Sequence, residues 1–191
     1  MQVSLVFPPS WMPSQPFLSL PSLQGFLKNK GVENVSIRDL NIETMDALLS
    51  AEKVRQTLAI IDERLNEGTE PIRSEENPEE VHSRLSWARE VIERENMVQN
   101  VEWAKSTLKS QGFYEIDDYV ECWKIIDRWL QAFGMLYYPS EISIADNSMR
   151  YSVYSSEDVL KAVNNNNENP YHDLFNEHII DSLIQEGADL V

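Results

Sequence analysis

The side chains most able to do chemistry in this sequence are its three histidines and its single cysteine. His172 and His178 are six residues apart in a predicted helix, which puts them on different faces. Two histidines that bind one metal ion on a helix are instead spaced i,i+3 or i,i+4. His82 lies at the acidic start of another predicted helix, and Cys122 alone cannot form a disulfide or a cysteine cluster within the chain. We therefore predict no catalytic residue and no metal ligand in this chain.

The excess of acidic side chains argues against nucleic acid and anionic membranes as partners. Adjacent acids such as Asp117-Asp118 and Glu157-Asp158 are typical of solvated faces and first turns of helices. The net charge of −16 argues against binding to nucleic acid or to an anionic membrane surface, because both need basic side chains. No stretch approaches the ~18 apolar residues of a membrane span, and no secretion signal is visible. We predict a soluble, cytoplasmic protein in a reducing compartment.

The loop that follows the first apolar run, Val3 to Phe7, is rich in proline and contains no glycine up to Ser19. Phosphate-binding loops need glycine so that backbone N–H groups can approach the anion, and proline has no N–H. Neither a GxGxxG nor a Walker A motif is present, so we predict no dinucleotide or ATP site at this turn, and a nucleotide-binding domain is the weakest of the alternatives. The prolines and the aromatic Trp11 and Phe17 suit either a broad apolar ligand or packing against the inserted helices.

The periodicity of apolar residues predicts an α/β fold. A strand, a helix and a second strand follow one another within the first forty residues, which is a parallel, right-handed βαβ unit. Amphipathic helical stretches then follow, with a register slip at 95–100; these stretches are 42–66, 79–110 and 116–134. We expect a partial Rossmann-like parallel sheet with a large, mostly α-helical insertion.

The end of the sequence predicts a helix that begins at Asn169-Pro170 and ends at Gly187. The residues after it, 188–191, read as the start of a third parallel strand, so we expect the chain to be part of a longer protein. The predicted organisation has three parts: a βαβ unit at 1–41, the helical insertion at 42–136, and a return segment at 137–191.

The N-terminal run VFPPSWMPSQPFLSLPSLQGFLKNKGVENVSIRDLN carries a resemblance to a known family. It resembles the N-terminal cobalamin-binding domain of B12-dependent radical SAM proteins. The matching elements are Pro8-Pro9, Leu20-Pro21, Gly31 and Asp39-Leu40-Asn41. The resemblance covers residues 3–45, returns more weakly at 137–140 and 169–191, and says nothing of the region between beyond its helical character.

The resemblance implies a corrinoid-binding, Rossmann-like module. In such a module the first loop would run along the corrin edge, and the end of the second strand would lie at the same rim. The implied cofactor-binding residues are Pro8, Pro9, Ser10, Trp11, Asp39 and Asn41. Asp39 and Asn41 also have a simpler interpretation, because Asp and Asn are common caps at the start of a helix, here the one from Ile42 onward.

The family uses cobalamin together with S-adenosylmethionine and a 4Fe–4S cluster held by a CxxxCxxC motif. This sequence lacks that motif and also lacks the DxHxxG motif of base-off corrinoid binding. The resemblance therefore implies the N-terminal portion of a cobalamin-dependent radical SAM methyltransferase or related enzyme. This portion would bind or shield cobalamin without catalysing, and its partners would be the corrinoid and the C-terminal domains of the parent chain. The alternative is a helical protein–protein interaction module on an α/β scaffold.

Overall fold

A computed structural model of the chain describes residues 1–9, 18–66, 77–144, 147–165 and 169–191. The chain divides into two compact units. Unit 1 comprises Met1–Met45 and Tyr171–Val191, and unit 2 comprises Asp46–Pro170. The fold is α/β with a large helical insertion, as the sequence predicts. Unit 2 continues past residue 136 and includes most of the predicted return segment.

The structure contains the predicted βαβ unit and helical stretches, together with two short strands and a helix between residues 141 and 164 that were not predicted. In chain order the helices and strands are β1 (Gln2–Phe7), α1 (Ser19–Asn29), β2 (Asn34–Asp39), α2 (Leu40–Leu48), α3 (Ala51–Asn66), α4 (Pro78–Arg94), α5 (Met97–Leu108), α6 (Ile116–Gly134), β3 (Glu141–Ile142), β4 (Asn147–Ser148), α7 (Ser156–Asn164), α8 (His172–Leu174) and α9 (Ile180–Glu186). Two 3-10 turns, Gln111–Tyr114 and Met135–Tyr137, flank α6, and a π-helical turn, Phe175–Ile179, joins α8 to α9. Among the described residues, no helix is long and apolar enough to cross a bilayer.

The sheet of unit 1 is built on β1. Strands β1 and β2 are parallel and in register from the pair Gln2–Asn34 to the pair Phe7–Asp39, with α1 as the crossover. Val3 also forms a parallel bridge with Leu190, and the backbone N–H of Ser4 donates to the Leu190 carbonyl at 2.9 Å. Because Val3 pairs with both segments, β1 lies between β2 and the end of the chain.

Unit 2 is held by an apolar core along the facing stripes of α3, α4, α5 and α6. Its largest side chain is Trp129, which is fully buried and donates its indole N–H to the Leu48 carbonyl at 3.0 Å. Strand β3 lies close against α6 at Gly134, where an added Cβ would be 3.5 Å from the backbone nitrogen of Ile142. This contact explains why residues beyond 136 belong to the helical unit.

The helix boundaries differ from the sequence prediction at 42–66 and at the start of the C-terminal helix. The stretch 42–66 forms two helices, because α2 ends at Leu48 and α3 begins at Ala51. The hydroxyl of Ser50, between them, accepts the backbone N–H of Lys53 in the first turn of α3. The predicted break near 95–100 is confirmed at Asn96, whose φ of 47° cannot continue a helix. The C-terminal helix begins at His172, not at Pro170, and it ends as predicted at Gly187, whose φ is 63°.

Candidate functional site

The first candidate site is the carboxyl edge of the parallel strands in unit 1. Phe7 and Asp39 are register partners at the ends of β1 and β2. The chain leaves β1 into Pro8-Pro9 and leaves β2 into Leu40-Asn41, so both segments emerge at one edge of the sheet. This is the edge at which open α/β sheets bind ligands. The parallel register thus brings together four of the six residues that the sequence nominates.

Asp39 acts as a helix cap in this structure. Its Oδ1 accepts the backbone N–H of Asn41 and of Ile42, both at 3.1 Å. This geometry satisfies two of the N–H groups that the first turn of α2 leaves without an intrahelical partner. The carboxylate therefore fixes the path of the chain out of β2, in agreement with the simpler of the two sequence interpretations.

The remaining nominated residues differ in accessibility. Pro8 is exposed and Pro9 is half-buried, whereas Asn41 is only 5% exposed. Ser10 and Trp11 lie outside the described residues. Of the nominated residues that the structure describes, Pro8, Pro9 and Asp39 therefore keep accessible surface at this edge, and Asn41 is buried.

A second candidate site is a cavity of about 630 Å³ in unit 2. One wall is α4, which contributes Ser83, Arg84 and Trp87. The other walls are the end of α6 with the turn after it and strand β3, which contribute Tyr138 and Ile142 among others. Its volume lies within the range of small-molecule sites, and its lining combines apolar side chains with a few polar ones, as such sites do.

Cation–π contacts with arginine orient two aromatic side chains of this cavity. The Arg84 guanidinium lies over the Tyr138 ring, with its Cζ 3.9 Å from the ring centroid. The Arg128 guanidinium lies over the Trp87 ring at 4.9 Å, and its Nε donates to a Glu95 carboxylate oxygen at 3.0 Å. Cation–π contacts of this kind hold both partners in one orientation.

The sequence analysis missed this cavity. Its lining residues come from two segments, 83–87 and 131–143, that are distant in sequence. No short motif joins them, because the cavity exists only where α4 packs against the end of α6. The one available signal in the sequence was Tyr137 to Ser140, a segment that belongs to the family resemblance.

Two groups with shifted pKa values lie outside both candidate sites. Burial raises the pKa of the Cys122 thiol despite a hydrogen bond with Thr107, so the thiol stays protonated at neutral pH. Burial also raises the pKa of Tyr171 to about 12. Among the described residues, no group of three or more His, Cys, Asp or Glu side chains is arranged to hold a metal ion.

The chain matches no protein-family model, no curated protein and no solved structure. The resemblance to B12-dependent radical SAM proteins therefore stays a prediction, carried by Pro8-Pro9, Leu20-Pro21 and Asp39-Leu40-Asn41.

Proposed function

We propose that unit 1 belongs to the cobalamin-binding region of a cytoplasmic, cobalamin-dependent radical SAM enzyme. It would contribute to binding and shielding the corrinoid and would not itself be catalytic. S-adenosylmethionine and the 4Fe–4S cluster would be held by other domains of the parent protein. The observation that carries the proposal is the in-register ending of β1 and β2, which puts the proline pair and the Asp39 turn at one ligand-binding edge.

The strand arrangement gives this edge further support. Because β1 lies between β2 and Leu190, the loop after Phe7 leaves the middle of the paired segments. A loop in that position reaches a ligand that lies across several strand ends. A continuing parallel sheet of this order would be Rossmann-like.

The residues at the carboxyl edge of β1 and β2 suit a large ring, such as a corrin, that is bound by shape complementarity and apolar contact. Proline has no backbone N–H and a fixed φ, so Pro8-Pro9 presents a rigid apolar surface in place of phosphate-binding donors. The cap by Asp39 keeps the opposing turn in place. Bound cobalamin would supply methyl-transfer or radical-rearrangement chemistry to the parent enzyme, and these residues would orient and shield it.

Titration of the chain with hydroxocobalamin tests the proposal. Binding in an asymmetric protein site is expected to change the visible circular dichroism of the corrin and to make it co-elute with the protein. Pro8→Glu, at the exposed edge, is expected to weaken binding at least ~10-fold, a cost of about 1.4 kcal/mol. The matched control is Val153→Glu, which adds the same charge at a 78%-exposed position in unit 2. No spectral change and no co-elution would reject corrinoid binding by this portion of the parent protein, and the same negative with a chain extended by about 150 residues, one further domain, would reject the whole proposal.

A second candidate function, a protein–protein interaction module, is favoured by one surface of unit 2. We define the aromatic face as four exposed side chains: Phe113 and Tyr114 in the 3-10 turn before α6, and Ile116 and Val120 in the first two turns of α6. Tyr114 and Ile116 are 77% and 70% exposed. Contiguous exposed apolar groups of this kind mark interaction sites. Acidic residues in the first turn of α6 border this face, which favours a basic amphipathic helix as the partner.

A synthetic amphipathic peptide of leucine and lysine tests this second function. Fluorescence anisotropy at physiological salt is expected to show binding that the double variant Tyr114→Ser/Ile116→Ser weakens at least ~10-fold. The control is Val159→Ser/Leu160→Ser, which removes two exposed apolar side chains from α7. Equal losses in the two variants would mean that the peptide binds exposed apolar side chains without preference. No loss in either variant would mean that it responds only to the net charge of the protein. Both results would exclude the aromatic face as its site.

A further inference from the structure

The cavity of unit 2 has two aromatic walls whose orientation is fixed by neighbouring side chains. Trp87 on α4 and Tyr138 after α6 both line it. The Arg128 guanidinium lies over the Trp87 ring, and the Arg84 guanidinium lies over the Tyr138 ring. A lining ring that is covered on one face in this way presents its other face or its edge to the cavity. Walls that are held before a ligand arrives lose little conformational entropy when it binds.

The cavity also has aliphatic walls. Met135 lines it from the turn after α6, and Ile142, which is 4% exposed, lines it from β3. A methionine thioether adapts its shape to its neighbours and makes favourable contacts with aromatic rings. An apolar ligand that displaces water from such walls is stabilised by the area that both surfaces remove from water.

Several polar residues of the lining are already hydrated or paired. Ser83 and Glu141 are exposed to solvent. The side-chain amide of Gln131 donates to the Asp127 carboxylate at 2.8 Å. The rings and the aliphatic groups are therefore the part of the lining from which a ligand gains most.

We propose that this cavity binds a flat, apolar aromatic molecule. Its ring contacts Trp87 and Tyr138 in offset-stacked or edge-to-face arrangements, which stabilise aromatic pairs beyond the burial of area. The volume of about 630 Å³ accommodates two fused rings and lies within the range of small-molecule sites. The site is a property of unit 2 and does not depend on corrinoid binding by unit 1.

Two probes with the same carbon skeleton and the same hydroxyl group test this proposal by isothermal titration calorimetry on the whole chain. They are 2-naphthalenemethanol, which is flat and aromatic, and its saturated counterpart, decahydro-2-naphthalenemethanol. The saturated probe is at least as apolar, so burial of apolar area alone does not favour the aromatic one. We expect the aromatic probe to bind at least ~5-fold more tightly, because only it forms ring–ring contacts.

A substitution at Trp87 tests the ring–ring contact directly. Trp87→Leu keeps an apolar wall and removes the ring, so it is expected to weaken binding of the aromatic probe more than binding of the saturated one. The matched control is Trp103→Leu, which removes a 39%-exposed ring on α5 that is not among the described lining residues. It is expected to leave both affinities unchanged.

A variant at an exposed position guards against a folding defect in Trp87→Leu. Ser83 lines the cavity at an exposed position on α4, so Ser83→Phe obstructs the opening without removing a buried contact. It is expected to abolish binding of both probes. His82→Phe adds the same ring at the neighbouring exposed position, outside the described lining, and is expected to bind both probes like the original chain.

The proposal is overturned by any of four results. Neither probe binds at millimolar concentration, or the saturated probe binds as tightly as the aromatic one, or Trp87→Leu weakens both probes equally, or Ser83→Phe binds them unchanged. The hydroxocobalamin titration is independent of these results, because it uses a different ligand and tests Pro8 in unit 1.

Discussion

The two units of the molecule are stabilised in different ways. All but Leu174 of the largest fully buried side chains described lie in unit 2, with Trp129 the largest of them. Unit 1 relies on directional polar contacts beside its sheet. Its Arg38 contacts Glu43 and Glu186, and donates to the Ser182 hydroxyl at 2.7 Å.

The polar contacts of unit 1 form a connected network on one face of the sheet. The Ser4 hydroxyl donates to a Glu186 carboxylate oxygen at 3.2 Å, and the hydroxyls of Ser36 and Ser4 are 3.2 Å apart. This network joins α9 to β1 and β2. A network of directional hydrogen bonds and ion pairs loses most of its contribution to stability when one member is removed. An apolar core instead loses stability in proportion to the volume removed. Unit 1 is therefore sensitive to the loss of a single charge, and unit 2 to the creation of a single cavity.

The largest expected effect is in the core of unit 2. Trp129→Ala removes a fully buried ring and its hydrogen bond to Leu48. It is expected to lower the free energy of unfolding by about 3–5 kcal/mol, measured by urea denaturation. Trp103→Ala is the matched control, because that ring is 39% exposed, and it is expected to cost much less. Similar losses in the two variants would show that unit 2 is not organised around this core.

The next effect tests the network of unit 1. Arg38 is 12% exposed on its side chain, so Arg38→Met leaves the carboxylates of Glu43 and Glu186 without their guanidinium partner. The expected cost is about 2 kcal/mol, less than for a fully buried pair because both carboxylates are partly solvated. Hydrogen exchange is expected to accelerate at the amides of β1 and β2.

The control for Arg38 is another ion pair. Arg55→Met removes an arginine that is 61% exposed and lies 3.9 Å from Glu52, and exposed pairs of this kind contribute little. Unchanged exchange in the strands of the Arg38 variant would mean that apolar packing alone holds unit 1, and the contrast between the units would disappear.

The features predicted from the sequence are the ones that local patterns determine. The βαβ unit, the bounds of α6, the break at Asn96 and the end of α9 at Gly187 follow from apolar spacing and backbone preferences. The edge of the parallel strands was also predictable, because chain order fixes where such strands end. The cavity was not, since it depends on how α4 packs against β3 and the end of α6. The pairing of Arg38 with Glu186 likewise joins residues that are distant in sequence.

A smaller effect is expected from an ion pair of unit 2 at low pH. Partial burial of Asp46 would raise its pKa, but hydrogen bonds from Lys109 and Lys105 outweigh burial and hold the pKa below its usual value. The ammonium nitrogens lie 2.6 Å and 2.9 Å from its carboxylate oxygens. A carboxyl whose folded-state pKa is lowered contributes stability above its unfolded pKa of about 4. That contribution is lost as the pH falls through the folded-state pKa.

Asp46→Asn is therefore expected to be less stable than the original chain at pH 7 by at most about 1 kcal/mol, because the carboxylate is half-exposed. The difference should vanish as the pH falls through the lowered pKa, as followed by urea denaturation at several pH values. Glu52→Gln, at a 70%-exposed carboxylate, is expected to show no such convergence. A constant difference between Asp46→Asn and the original chain would assign its effect to packing.

The smallest expected effect is a stabilisation of unit 1 by a substitution that leaves its polar network unchanged. Gly25 lies inside α1, and a Cβ added to it would meet no atom within 4 Å. Gly25→Ala is expected to stabilise unit 1 by about 0.5 kcal/mol, because alanine loses less conformational entropy in a helix. Gly31→Ala is expected to have the opposite sign, since its φ of 87° strains any side chain. Slower hydrogen exchange in β1 and β2 of Gly25→Ala would show that stabilising α1 stabilises the whole of unit 1. Slower exchange in α1 alone would show that the polar network limits the stability of unit 1.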